Sequence, residues 1–93
     1  MAKDTTSLRA LLALEQFPLT YLHKFIGKNT PAFHAAVAAM EARFPSAVRV
    51  TVRLSGVNQT YVAYTLSLNA KDPEEIVALW SATADLAELT LIL

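Results

Sequence analysis

The residues best suited to hold a ligand lie together in one stretch, Gly27-Lys28-Asn29-Thr30-Pro31. A glycine lets a backbone approach a bound group closely, and the free amides at a helix start favour a carboxylate. The same residues also make an ordinary turn and cap, with Asn29 or Thr30 as the N-cap and Pro31 in the first turn, where no amide donor is missed. Gly27, Lys28, Asn29 and Thr30 are therefore the ligand-binding candidates, with a small carboxylate as the ligand class.

Other chemistry is thinly represented. His23 and His34 are the two histidines, and no further ligands stand at metal-site spacing around them. His23 alternates with Tyr21 and Phe25 and is expected in the core with a hydrogen-bond partner. His34 falls off its helix's apolar stripe and is expected in solvent. No motif brings a serine, histidine and aspartate together as a nucleophile. Glu74 and Glu75 read as part of a helix cap rather than a catalytic carboxylate pair. Without cysteine there is no disulfide, thiolate or sulfur-bound metal. The expectation is a non-enzymatic chain with no catalytic residue, no metal and no cofactor.

Composition narrows the class. The chain has 93 residues, 54% of them apolar, enough for one domain with a modest core. No apolar run nears the roughly 20 residues needed to cross a bilayer, and Met1 to Ser7 does not read as a secretory signal. A soluble cytoplasmic protein without membrane contact is expected. Eight basic and eight acidic residues cancel, but unevenly along the chain. Lys24, Lys28, Arg43, Arg49 and Arg53 stand against Glu41 between Thr20 and Ser55. Asp72, Glu74, Glu75, Asp85 and Glu88 stand against Lys71 from Gly56 onward. A net-neutral chain argues against nucleic-acid binding.

The elements that position these residues follow from periodicity and punctuation. Leu8, Leu11, Leu12 and Leu14 suit a short helix between Ser7 and Glu15, which Pro18 stops. Leu19–Ile26 alternates as a strand that Gly27 ends. Phe33, Val37, Met40 and Phe44 form the stripe of a helix near 31–44. In Ala47–Ser55, Val48, Val50, Val52 and Leu54 alternate with Arg49, Thr51, Arg53 and Ser55, which predicts a strand with the aliphatic set buried. Gln59–Asn69 returns as a hairpin strand with Val62, Tyr64, Leu66 and Leu68 inward. Asp72-Pro73-Glu74-Glu75 starts a helix near 73–84, with Ile76, Leu79, Trp80 and Thr83 buried. Ala87–Leu93 closes the chain as a strand with Leu89, Leu91 and Leu93 inward.

The order βαββαβ with right-handed crossovers predicts an α+β, ferredoxin-like two-layer sandwich over residues 17–93, with an N-terminal extension carrying a short helix over 1–16. The sheet is antiparallel in the order 4-1-3-2, with both helices on one face. Phe25, Phe33, Val37, Met40, Val50, Leu66, Leu68, Ile76, Leu79 and Leu91 form the expected core. The uncovered face should show Leu22, Lys24, Ile26, Arg49, Arg53, Tyr61, Thr65, Thr90 and Ile92. Of these, Leu22, Lys24, Ile26, Arg49, Arg53, Tyr61 and Ile92 are the interface candidates, since an apolar patch with polar surrounds marks a partner contact. One aromatic is too few for an RNA-recognition sheet, and the first strand–helix loop offers Lys28 where acylphosphatases use arginine.

Phe17-Pro18, Lys24-Phe25-Ile26-Gly27, the Tyr61 strand ending Leu68-Asn69-Ala70 and the closing Leu91-Ile92-Leu93 resemble the small bacterial YbeD family, from Leu14 to the C-terminus. Two departures are Thr20 or Leu22, where the family often has a second proline, and the longer, less basic turn Ser55–Gln59. The resemblance implies an ACT-like regulatory domain of uncharacterised role, and ACT domains hold amino-acid effectors at a loop placed like Gly27–Thr30. A link to lipoate metabolism has been suggested for the family. The functions to weigh are thus a small-carboxylate sensor and a regulatory or adaptor module that binds a protein partner or itself as a homodimer.

Overall fold

Thr30 and Pro31 open a helix, and Asp72 and Pro73 open another, by the same device. Thr30 Oγ1 accepts from the Phe33 amide at 3.2 Å and Asp72 Oδ1 from the Glu75 amide at 3.1 Å. Each satisfies an amide that has no partner inside the helix. Glu75 reaches back to the Lys71 amide at 2.7 Å, which closes the second start from the other side. The computed structural model describes residues 6–93; the expectations for residues 1–5 lie outside the described residues.

The elements in chain order are α1 (Thr6–Leu12), β1 (Leu19–Lys28), α2 (Pro31–Arg43), β2 (Ala47–Ser55), a 3-10 turn (Val57–Gln59), β3 (Tyr61–Ala70), α3 (Pro73–Ala84) and β4 (Leu89–Ile92). The strands make one antiparallel sheet in the order β2-β3-β1-β4, which is the expected order read from the opposite edge. Helices α2 and α3 cover one face. Phe25 meets Phe33 of α2 edge-on at 6.3 Å between ring centres, and His23 meets Trp80 of α3 at 6.1 Å. Short α1 lies against α3, with Leu12 buried and Arg9 paired to Glu74.

Most of the expected core is present: Phe25, Phe33, Val37, Met40, Leu66, Leu68, Ile76 and Leu79 are all buried. Gly27 does not end β1 but lies within it, paired with Val62 and Leu89. Phe33 packs directly on it, which explains why a strand interior carries glycine.

Two strands differ from simple alternation, each at a bulge. In β2, Arg49 pairs with Leu66 but Thr51 pairs with Thr65, leaving Val50 as the extra residue. Arg49 therefore joins Val52 and Leu54 on the helix side, and Val50 is exposed instead of buried. Even Val52 and Leu54 stay exposed, because α2 sits over β1 and β3 and does not reach this edge. In β4, Gly27 pairs with Leu89 but Ile26 pairs with Leu91, so Thr90 is the extra residue. The exchange puts Ile92 in the core at 7% exposure and Leu91 on the open face at 43%, the reverse of the expectation. A bulge resets the face of every residue beyond it.

Candidate functional site

The Gly27–Thr30 stretch is tied into the fold by its own hydrogen bonds. The Lys28 amide donates to the Glu88 carbonyl at 3.1 Å, the Asn29 amide to the Thr60 carbonyl at 2.9 Å and the Thr30 amide to the Lys28 carbonyl at 2.9 Å. The Thr30 hydroxyl, besides capping α2, donates to the Glu88 carboxylate at 2.7 Å. A carboxylate of the chain itself thus already stands beside the start of α2, where its charge suits the helix end.

Asn29 leads into a second constellation that alternation does not reveal. Its Nδ2 donates to the Gln59 carbonyl at 3.0 Å, which turns its Oδ1 toward His34 Nε2 at 2.7 Å. His34 Nε2 is therefore the protonated nitrogen and Nδ1 the acceptor, and Nδ1 receives the Tyr64 hydroxyl. His34 is half-buried and fully partnered, not solvated as its helical position suggests. On the other side of Tyr64, the Arg49 guanidinium lies 5.0 Å from the ring centre. Arg49 Nε and Nη2 donate to the two Glu41 carboxylate oxygens at 3.0 and 2.5 Å. That bond, ahead of the attraction between the charges, raises the Arg49 pKa, while burial raises that of Tyr64. Arg49 is thus not an open-face residue. It clamps β2 to α2, a role hidden from the sequence because the Val50 bulge decides which way it points.

His23 is the third polar group of interest. It is fully buried, and its Nε2 lies 2.9 Å from Thr83 Oγ1. Thr83 gives its proton to the Leu79 carbonyl at 2.7 Å, so His23 Nε2 donates to it and Nδ1 remains a bare acceptor without a partner. Desolvation lowers its pKa to about 4.

The uncovered sheet face gathers five of the seven interface candidates. Register places Leu22, Lys24 and Ile26 of β1, Tyr61 of β3 and Arg53 of β2 there together. Ile26 stands between Ala63 and Leu91 as cross-strand neighbours, with Lys24 and Lys28 two residues away on either side. Arg53 flanks Ala63 from the β2 side. The described residues of this face include three cations and no acid. Arg49 and Ile92 do not belong to it, for the reasons given by the two bulges. Among the described residues no cluster of three or more histidine, aspartate or glutamate side chains could hold a metal, and no helix is long and apolar enough to cross a membrane.

Residues 13–93 match a family model described as "Protein of unknown function (DUF493)", the YbeD family. No curated protein and no solved structure matches. With the match running through every strand, α2 and α3, the chain belongs to this family of unknown function.

Proposed function

We propose that the chain is a small non-enzymatic regulatory or adaptor domain with a ferredoxin-like sandwich, which binds a protein partner through its open sheet face. The observation carrying this reading is the row Leu91–Ile26–Ala63, flanked by Lys24, Lys28 and Arg53. An apolar centre within a charged rim is the usual anatomy of a contact surface. A carboxylate sensor at Gly27–Thr30 is the weaker alternative, because the amides it would use already serve Thr60, Lys28 and the cap of α2.

Ile26→Glu tests the reading. The variant should keep its melting temperature within a few degrees while capture of its partner from the source cell is lost. The charge is tolerated in water but left unpaired when the contact closes, a penalty of several kcal/mol. Undiminished capture by the folded variant sinks the proposal. A thermal-shift screen of amino acids and short-chain acids addresses the sensor, since a native-state ligand raises the melting temperature.

A further inference from the structure

Strand β2 leaves an unusual amount of aliphatic surface uncovered at the edge of the sheet. Val48, Val50, Val52 and Leu54 are between 42 and 62% exposed, and Val57 just beyond them is 81% exposed. The strand is nine residues long and has β3 on one side only. Proteins ordinarily blunt such an edge with proline, charged side chains, a bulge, short length or a covering segment. β2 has the bulge at Val50 and, before it, Arg49 turned to the helix side; from Thr51 to Ser55 Arg53 is its one charge and there is no proline. From Thr51 to Ser55 the pairing with β3 is regular, with Val52 and Leu54 on the helix side and Arg53 on the open face.

Charge selects what pairs there. No acidic residue occurs anywhere from Ala47 to Ala70. Arg49 is held by Glu41, whereas Arg53 has no ion-pair partner among the described residues. A second copy paired antiparallel about Arg53 would set two guanidinium groups directly opposite each other. Paired about Val52, it would still leave them a diagonal step apart, about 7–8 Å, with no carboxylate between. A strand alternating aliphatic and acidic residues has neither defect. Its aliphatic side chains continue the Val52 and Leu54 row, and its carboxylate stands opposite Arg53.

We propose that the β2 edge, Thr51–Ser55, takes up an extended acidic-aliphatic segment of a partner protein by strand addition. This rests on the reading of the chain as a protein-binding module but uses the free edge of β2 rather than the Ile26 face, with Arg53 bordering both. Main-chain hydrogen bonds supply the attachment and Arg53 supplies the choice of sequence.

The probes are two seven-residue peptides, one alternating valine with glutamate and one alternating valine with lysine, added to the isotope-labelled full chain. The glutamate peptide should shift the Thr51–Ser55 amide resonances and slow their hydrogen exchange about tenfold or more near saturation. The lysine peptide should leave them unchanged. Arg53→Glu, checked by its amide spectrum to be folded, should reverse the preference, and Arg53→Gln should weaken it. Equal responses to both peptides, or no response up to about 1 mM, a generous ceiling for weak recognition, overturn the proposal. So does a chain that is already dimeric with β2 protected before peptide is added, or a peptide that shifts Leu22, Ile26 and Leu91 instead. Folded Ile26→Glu should still bind the glutamate peptide through Thr51–Ser55, so loss of partner capture with retained peptide binding in that one variant tells the open face from the β2 edge.

Discussion

A Cβ built on Gly27 would lie 2.3 Å from Cζ of Phe33, and 2.4 and 2.6 Å from its two Cε atoms. A residue near the end of β1 and the first aromatic of α2 thus share one space, and the ring is fully buried between Phe25 and Tyr64. Phe33 cannot step aside without opening the centre of the core. Gly27→Ala is expected to lower stability by about 1–3 kcal/mol, the range for overpacking a filled site. Urea melts would measure it. Adding Phe33→Leu should recover part of the loss, a coupling between neighbours that a purely local backbone effect would not give.

The bulge in β4 predicts an inversion that alternation alone would order the other way. Ile92→Ala should cost about 2–4 kcal/mol, as for other buried aliphatic truncations, and Leu91→Ala less than about 1 kcal/mol. Denaturant midpoints of the two variants compare them directly. A larger loss at Leu91 would mean that Thr90 is not the extra residue.

Stability should fall on mild acidification because of His23. Its pKa is near 6.5 in an unfolded chain and about 4 in the fold. Between those values the unfolded state binds the proton and the folded state does not, so stability declines as pH drops from about 6.5 and levels off below about 4. The gap is worth roughly 3 kcal/mol at most. Above pH 6.5 the group is neutral in both states and contributes no slope. His23→Leu should flatten the curve in this window relative to the parent, measured by urea melts at a series of pH values. Parallel curves for the two proteins would remove His23 from the account.

The Arg49–Glu41 clamp is half exposed to solvent, so its strength should be modest. A double-mutant cycle with Arg49→Met and Glu41→Gln is expected to give a coupling of about 0.5–1 kcal/mol that shrinks in high salt. Arg49→Met alone should cost somewhat more than the coupling, because it also vacates the face of the Tyr64 ring.

Much of this architecture was legible in the residues. Pro31 and Pro73, each preceded by a capping side chain, placed both long helices, and the period-two pattern of Val62, Tyr64, Leu66 and Leu68 oriented β3. The strand order followed from element order and handedness. The faces of β2 and β4 were not legible, because a bulge leaves no signature in residue type yet reverses everything beyond it. The aliphatic alternation of β2 also looks like a buried face, whereas burial depends on how far α2 reaches across the sheet. The same ignorance hid the Asn29–His34–Tyr64–Arg49 constellation. His34 stands four residues after the capping Thr30, on the flank of α2, and that position was the available hint of its partners. Of the open face, five candidates were found and two were displaced by the bulges, while Lys28 and Leu91 were missed as members.

The two edges of the sheet are unequal. β2 runs nine residues and β4 only four, with its own irregularity at Thr90. Strand addition that starts on the long edge therefore has no matching edge on which to repeat, since the far side offers too short a row to seat another chain of similar length. Growth of a fibril needs both edges to accept partners, copy after copy. Under the proposed strand addition the long edge would receive a partner and the short one would end the sheet, so association along it would stop at a fixed stoichiometry instead of polymerising.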